Sequence, residues 1–161
     1  MAILDVFSRK VLAWNISTTM EACFCVDVLN EAISKYGCPE IFNTDQGSQF
    51  TSKDWINAIK VLNCTIISMD GKGRWVDNVY IERFWKTVKY EEVNLMDTDC
   101  VREVKKCICN FVIFYNSKRL HQNLGYKTTH QVYYGQRKND NFIYADFKRI
   151  KNGSQLSLLL L

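Results

Sequence analysis

Two hydrophobic periods divide this chain, short apolar runs alternating with amphipathic stretches at first and a three-to-four-residue repeat afterwards. Ile3-Leu4 and Val11-Leu12-Ala13-Trp14-Asn15-Ile16 read as strands, and Phe7-Ser8-Arg9-Lys10 between them is a hairpin-length connection. Thr18-Thr19-Met20-Glu21 is a capping signal for a helix reaching about Tyr36, with Cys25, Val28, Leu29, Ala32 and Ile33 on one stripe and Gly37-Cys38-Pro39 as its stop. Ile41-Phe42-Asn43-Thr44 reads as a buried strand. Ser52-Lys53-Asp54-Trp55 opens a short helix to about Leu62, Cys64-Thr65-Ile66-Ile67-Ser68 reads as a further strand, and Asp70-Gly71-Lys72-Gly73-Arg74 as a loop.

From Asp77 the pattern is helical, with Val79, Phe84, Val88 and either Tyr80 or Ile81 on one stripe. A second helix is expected from about Thr98 to Asn116, carrying Val101, Val104, Ile108, Phe111, Val112 and Tyr115. Strands alternating with helices, followed by helices alone, predict an α/β layered domain with a helical C-terminal extension. The tail from about Lys138 is basic, then apolar through Leu156-Ser157-Leu158-Leu159-Leu160-Leu161, and the pattern assigns it no role.

Composition narrows the class. The chain has 161 residues, 47% of them apolar and 13% aromatic, which suits one core-forming domain. No apolar run approaches the roughly 18 residues of a membrane span, and Met1-Ala2-Ile3-Leu4-Asp5 does not read as a signal peptide, so a cytosolic protein without a membrane partner is expected. The seven cysteines include Cys23/Cys25 and Cys107/Cys109 as C-x-C pairs, a spacing that suits small apolar packing residues better than a zinc site. With 21 Lys and Arg against 17 Asp and Glu, the net charge of +4 permits a polyanion partner without demanding one. The distribution is more telling. Lys72, Arg74, Arg83, Lys86 and Lys89 gather around one segment, although a solvated helix face would carry the same residues.

Two carboxylates stand in settings that suit divalent-metal chemistry. Asp45 ends an apolar strand and opens Thr44-Asp45-Gln46-Gly47, so the core behind it fixes its position. Its plainer reading is an Asp turn bonding the local backbone. Glu82 lies on a helix where Asn78, Lys86 and Lys89 share its face, an acid beside phosphate-binding donors. The plainer reading there is a surface Glu paired with Lys86 one turn on.

Thr44-Asp45-Gln46-Gly47-Ser48-Gln49-Phe50-Thr51-Ser52, Ser68-Met69-Asp70-Gly71-Lys72-Gly73-Arg74 and Asp77-Asn78-Val79-Tyr80-Ile81-Glu82-Arg83-Phe84-Trp85 resemble the catalytic core of insertion-sequence transposases of the retroviral-integrase type. Asp5-Val6-Phe7-Ser8-Arg9-Lys10, and Phe114-Tyr115-Asn116 with Arg119, His121 and Leu124-Gly125-Tyr126, match further motifs of the insertion-sequence-three branch. The resemblance implies a ribonuclease H-like mixed sheet flanked by helices, an integrase core over residues 1–134 and a C-terminal tail over 135–161. It also implies Mg²⁺ or Mn²⁺ as cofactor, Asp45 and Glu82 as second and third members of an Asp, Asp, Glu triad, and DNA contacts from Lys72, Arg74, Asn78, Lys86, Lys89, Arg119 and His121. DNA, both element ends and target, would be the substrate of cleavage and strand transfer in a bacterial cytoplasm, in association with a second copy or a full-length transposase.

Two departures qualify that expectation. The family's first Asp lies on a central strand that precedes the matched region, so the sheet is expected to lack that strand and leave two inner edges unpaired. Asp5 does not replace it, because its motif makes it a turn-shaping acid. A non-catalytic DNA-binding or subunit-binding remnant is therefore the competing reading. In addition, Thr128-Thr129-His130-Gln131 stands where relatives carry Thr-Pro-x-Glu, which removes a proline-stiffened turn, and Trp75 is either a core residue or a DNA-stacking one.

Overall fold

The computed structural model describes residues 1–19, 21–45, 47–62, 66–69, 79–97, 100–142 and 155–159. Five strands, β1 (Ala2–Asp5), β2 (Val11–Trp14), β3 (Ile41–Thr44), β4 (Ile66–Met69) and β5 (Gln155–Leu159), form one sheet in the order β2-β1-β5-β3-β4. The helices are α1 (Ala22–Tyr36), α2 (Lys53–Val61), α3 (Val79–Glu91), α4 (Val101–Ser117) and α5 (Thr129–Phe142). Among the described residues, no helix is long and apolar enough to cross a membrane.

Strand alternation sorts the core into two layers. Ile3 of β1 joins Phe42, Cys25, Val28 and Leu29 of α1, and Trp55 and Ile59 of α2 on one face. Ala2 and Leu4 point the other way, against Ile81, Phe84, Trp85 and Val88 of α3 and Ile108, Phe111 and Tyr115 of α4. All four residues of β1 are buried, as expected of a strand covered on both faces.

The slot expected to stand open between β1 and β3 is occupied. β5 runs antiparallel to β1, pairing Ala2 with Leu159 through Asp5 with Leu156, and parallel to β3, pairing Ile41 with Gln155 through Asn43 with Ser157. The C-terminal leucine run thus completes the sheet from the far end of the chain.

Local signals explain most boundaries. Ser52 caps α2, its Oγ accepting from the Trp55 N–H at 3.2 Å, whereas α1 starts after Glu21 with no side-chain cap. The β1–β2 turn is tied by Asp5, whose Oδ2 accepts from the Ser8 N–H at 2.8 Å and from the Ser8 hydroxyl, with Arg9 in the left-handed region. The Thr-x-x-Gln sequence that replaces the proline turn forms a capping box. The Thr128 N–H donates to Gln131 Oε1 at 2.9 Å and the Gln131 N–H to Thr128 Oγ1 at 3.1 Å, which starts α5. Buried Lys10 then fixes α5 to the hairpin. Its Nζ lies 4.7, 4.5 and 4.2 Å from the ring centroids of Tyr36, Tyr133 and Tyr134 and donates to the Tyr134 hydroxyl at 3.1 Å.

Candidate functional site

Asp45 follows the last residue of β3, where buried Phe42, Asn43 and Thr44 anchor the backbone behind it. Its Oδ1 accepts from the Gly47 N–H at 2.8 Å, so the local turn proposed as its plainer role does form. This bond engages one carboxylate oxygen. Gly47 is required here by space and not by a left-handed backbone: a Cβ at Gly47 would lie 2.9 Å from both Asp45 Oδ1 and Gln49 Oε1. Gln49 is buried and can give little. Gly47→Ala is expected to lower stability by on the order of 1 kcal/mol and to turn the Asp45 carboxylate off its amide. Denaturant unfolding, with the Gly47 amide resonance as the second readout, checks this; an unmoved amide and an unchanged midpoint would show that the turn tolerates a side chain.

Glu82 occupies the first turn of α3, where the helix dipole favours a carboxylate, and is exposed. Lys86 and Lys89 are exposed along the same flank. The ion pair of the plainer reading is absent among the described residues: the two recorded ion pairs are Lys35–Glu31 and Arg119–Glu91, each at 2.5 Å. Lys72, Arg74 and Asn78, like Trp75, lie outside the described residues.

Asp45 and Glu82 are hard oxygen donors of the kind Mg²⁺ takes, so their chemistry fits a divalent ion. The set is short. Among the described residues no group of three or more His, Cys, Asp or Glu side chains could hold a metal. Asp5 is committed to Ser8, and β5, which fills the central slot, has the sequence Gln-Leu-Ser-Leu-Leu and brings no carboxylate.

Arg119 and His121 do not join the Glu82 flank. They line a cavity of about 210 Å³ with Arg9, Arg83, Thr87 and Tyr115 on the other side of α3. Arg119 is held bidentately by Glu91, Nη1 to Oε2 at 2.5 Å and Nη2 to Oε1 at 2.9 Å. Burial, with Arg119 and Arg9 nearby, holds the His121 imidazole below its ordinary range, and burial pushes the Tyr115 hydroxyl up to about 12. Arg83 is a helical neighbour of Lys86 three residues on, but it lies about 120° around the axis from Lys89 and borders the cavity.

The integrase core domain family matches residues 1–73 and again 63–128. The chain is 35% identical over 129 residues to the transposase for insertion sequence element IS904 of Lactococcus lactis subsp. lactis (strain IL1403), covering 78% of this chain and 50% of that protein. It is 27% identical over 120 residues to the putative transposase InsK for insertion sequence element IS150 of Escherichia coli (strain K12), covering 73% and 42%. The chain therefore spans about half the length of these relatives. Among solved structures, the HTLV-2 integrase catalytic core domain in complex with magnesium, in its dimeric form, superposes with a TM-score of 0.62 at 21% identity over 81% of each chain. The BIV integrase catalytic core domain superposes with a TM-score of 0.68 at 19% identity over 87% of this chain and 88% of that one. These similarities show the ribonuclease H-like fold, and with the two matches that together run from residue 1 to residue 128 they establish that the chain belongs to the integrase core domain family of insertion-sequence transposases.

Proposed function

We infer that this protein is the core of a DNA transposase, built for metal-dependent phosphodiester cleavage and strand transfer at the ends of a mobile element. The observation that carries the reading is an integrase core fold that sets one acid, Asp45, at the end of β3 and another, Glu82, without an ion pair among the described residues, on a lysine-bearing flank of α3. Asp45 and Glu82 would hold Mg²⁺ or Mn²⁺, which when bound polarises the scissile phosphodiester and stabilises its leaving oxygen. Asp45 is oriented by Gly47, and Glu82 by the rigid first turn of α3. Lys86 and Lys89 would meet DNA phosphates along the same flank, with Lys72, Arg74 and Asn78 as further DNA contacts. Element ends and target DNA are the substrates, and association with a second copy or a longer transposase completes the assembly. Residues 1–134 would form the core together with β5, which comes from the 135–161 segment, in a cytoplasmic protein.

The two-carboxylate donor set favours one competing reading, a DNA-binding subunit that does no chemistry. Strand transfer of a 3′-hydroxyl element end in Mg²⁺ and in Mn²⁺, assayed alongside calorimetric metal binding, separates the two. Asp45→Asn and Glu82→Gln are each expected to lower the rate at least tenfold, about 1.4 kcal/mol or more of barrier. Equal rates in the variants and the parent sink the ligand assignment. DNA binding with neither metal uptake nor strand transfer establishes the non-catalytic reading.

A further inference from the structure

α3 presents two chemically different flanks. Glu82, Lys86 and Lys89 lie on one, while Tyr80, Arg83 and Thr87 lie roughly 125° around the axis at about 100° per residue. The second flank borders the 210 Å³ cavity, which is lined by three arginines from separate elements: Arg9 from the β1–β2 turn, Arg83 from α3 and Arg119 from the segment after α4. Only part of this charge is neutralised. Glu91 pairs with Arg119, and Asp5, the acid near Arg9, is buried with its Oδ2 already accepting from Ser8. Arg83 has no ion-pair partner among the described residues.

The remaining cavity groups are donors or can become so. Arg9 is held in place by its Nη1, which donates to the Val6 carbonyl, and by the Tyr80 ring, whose centroid lies 3.1 Å from its guanidinium carbon. The Tyr115 hydroxyl stays protonated across the physiological range, since burial outweighs the pull of Arg119, Arg9 and Arg83 on it. His121 packs edge-on against Tyr115 at 4.9 Å between centroids, and its buried Nε2 has no hydrogen-bond partner among the described residues. The Arg83 fork, without an ion pair among the described residues, the donors that Arg9 and Arg119 do not spend on Val6 and Glu91, a neutral Tyr and an unsatisfied imidazole together form a cradle for a tetrahedral oxyanion.

We propose that this cavity is a phosphate-binding site, in which Arg9, Arg83 and Arg119 meet the oxygens of a phosphate monoester or diester on the Arg83 flank of α3, roughly 125° around the axis from the Glu82 flank. In a DNA-acting protein the backbone phosphate is the first source of that group. On this geometry one helix would hold the reacting phosphodiester on one flank and a second phosphate on the other, which fixes the rotational setting of α3 against its substrate. The proposal takes DNA as a partner from the reading above but does not depend on metal chemistry.

Titration of the full chain with inorganic phosphate, followed by the His121 imidazole resonances, tests it, and a labelled DNA duplex titrated in parallel identifies the source. The His121 resonances are expected to shift. Arg83→Gln should weaken phosphate binding at least about fivefold, Arg83→Lys should fall between because it keeps charge but loses the fork, and Lys60→Gln on α2 should match the parent. Arg83 is exposed, so its variants retain the fold. If Arg83→Gln also weakens duplex binding and reduces the slope of log affinity against log salt by about one, the bound group is a DNA phosphate. If duplex binding holds while phosphate binding falls, the site takes a free phosphate or a phosphorylated small molecule. Unmoved His121 resonances, or equal phosphate binding in Arg83→Gln and Lys60→Gln, overturns the proposal. Neither readout requires metal or strand transfer, so its failure is distinguishable from failure of the Asp45/Glu82 assignment.

Discussion

Removing residues 155–161 is expected to abolish cooperative folding. β5 sits third in a five-stranded sheet, paired on both sides, so its loss breaks two ladders at once. The edges it covers are not solvent-ready: Ala2, Ile3, Leu4 and Phe42 are 0% exposed. Each backbone N–H or C=O left buried and unpaired costs on the order of 1–3 kcal/mol, so losing several such pairings matches the whole stability of a typical domain, about 5–15 kcal/mol. Water entering the gap would satisfy those groups only by parting the α1–α2 layer from the α3–α4 layer. Thermal unfolding followed by circular dichroism checks this: the shortened chain should show no sigmoidal transition, and a synthetic peptide of residues 153–161 added in excess should restore one. A shortened chain that melts cooperatively within a few degrees of the full chain would mean that β1 and β3 close on each other without β5.

That strand marks the limit of what the sequence discloses. β1, β2, β3, α2 and α4 follow from local period and caps, and their boundaries agree with the pattern to within a few residues. β5 does not, because a leucine run at a chain end has no period of its own; only the unpaired edges of β1 and β3, far off in sequence, give it a place. α5 was legible in principle. Thr128 and Gln131 are a capping box in plain sequence, at the place where the family resemblance leads to the expectation of a proline-stiffened turn.

The candidate site divides in the same way. Asp45 announces itself through the strand before it and the glycine after it, and Glu82 through its helical neighbours, because each signal is local. The arginine-lined cavity is assembled from a hairpin turn, a helix flank and the segment after α4, so no stretch of sequence contains it. Arg9 reads as part of a hairpin turn and Arg83 as one charge on a helix face until the fold brings them together.

Asn116→Ala is expected to destabilise the fold by about 2–4 kcal/mol, more than an exposed helix-end amide would suggest. Asn116 lies in the last turn of α4, half-buried, and bonds β2 across 105 residues of sequence. Its Oδ1 accepts from the Val11 N–H at 3.0 Å and its Nδ2 donates to the Val11 carbonyl at 2.9 Å. β2 is an edge strand, so Asn116 serves there as the missing neighbour, satisfying both outward backbone groups of Val11. The same Oδ1 accepts from the Thr129 hydroxyl at 3.1 Å, which ties the start of α5 to the end of α4. Alanine leaves Val11, itself 3% exposed, with two unpaired polar groups, and removes one of the two bonds from the Thr129 hydroxyl to residue 116, leaving that to its backbone carbonyl at 3.2 Å. Denaturant unfolding measures the loss, and hydrogen exchange locates it: the Val11 amide should lose protection first, followed by the α5 amides. Asn116→Asp, which keeps the acceptor but removes the donor, should retain the Val11 amide bond and lose part of the stability. If Asn116→Ala instead unfolds within about 0.5 kcal/mol of the parent, water replaces the side chain at this edge and Val11 is not held by Asn116.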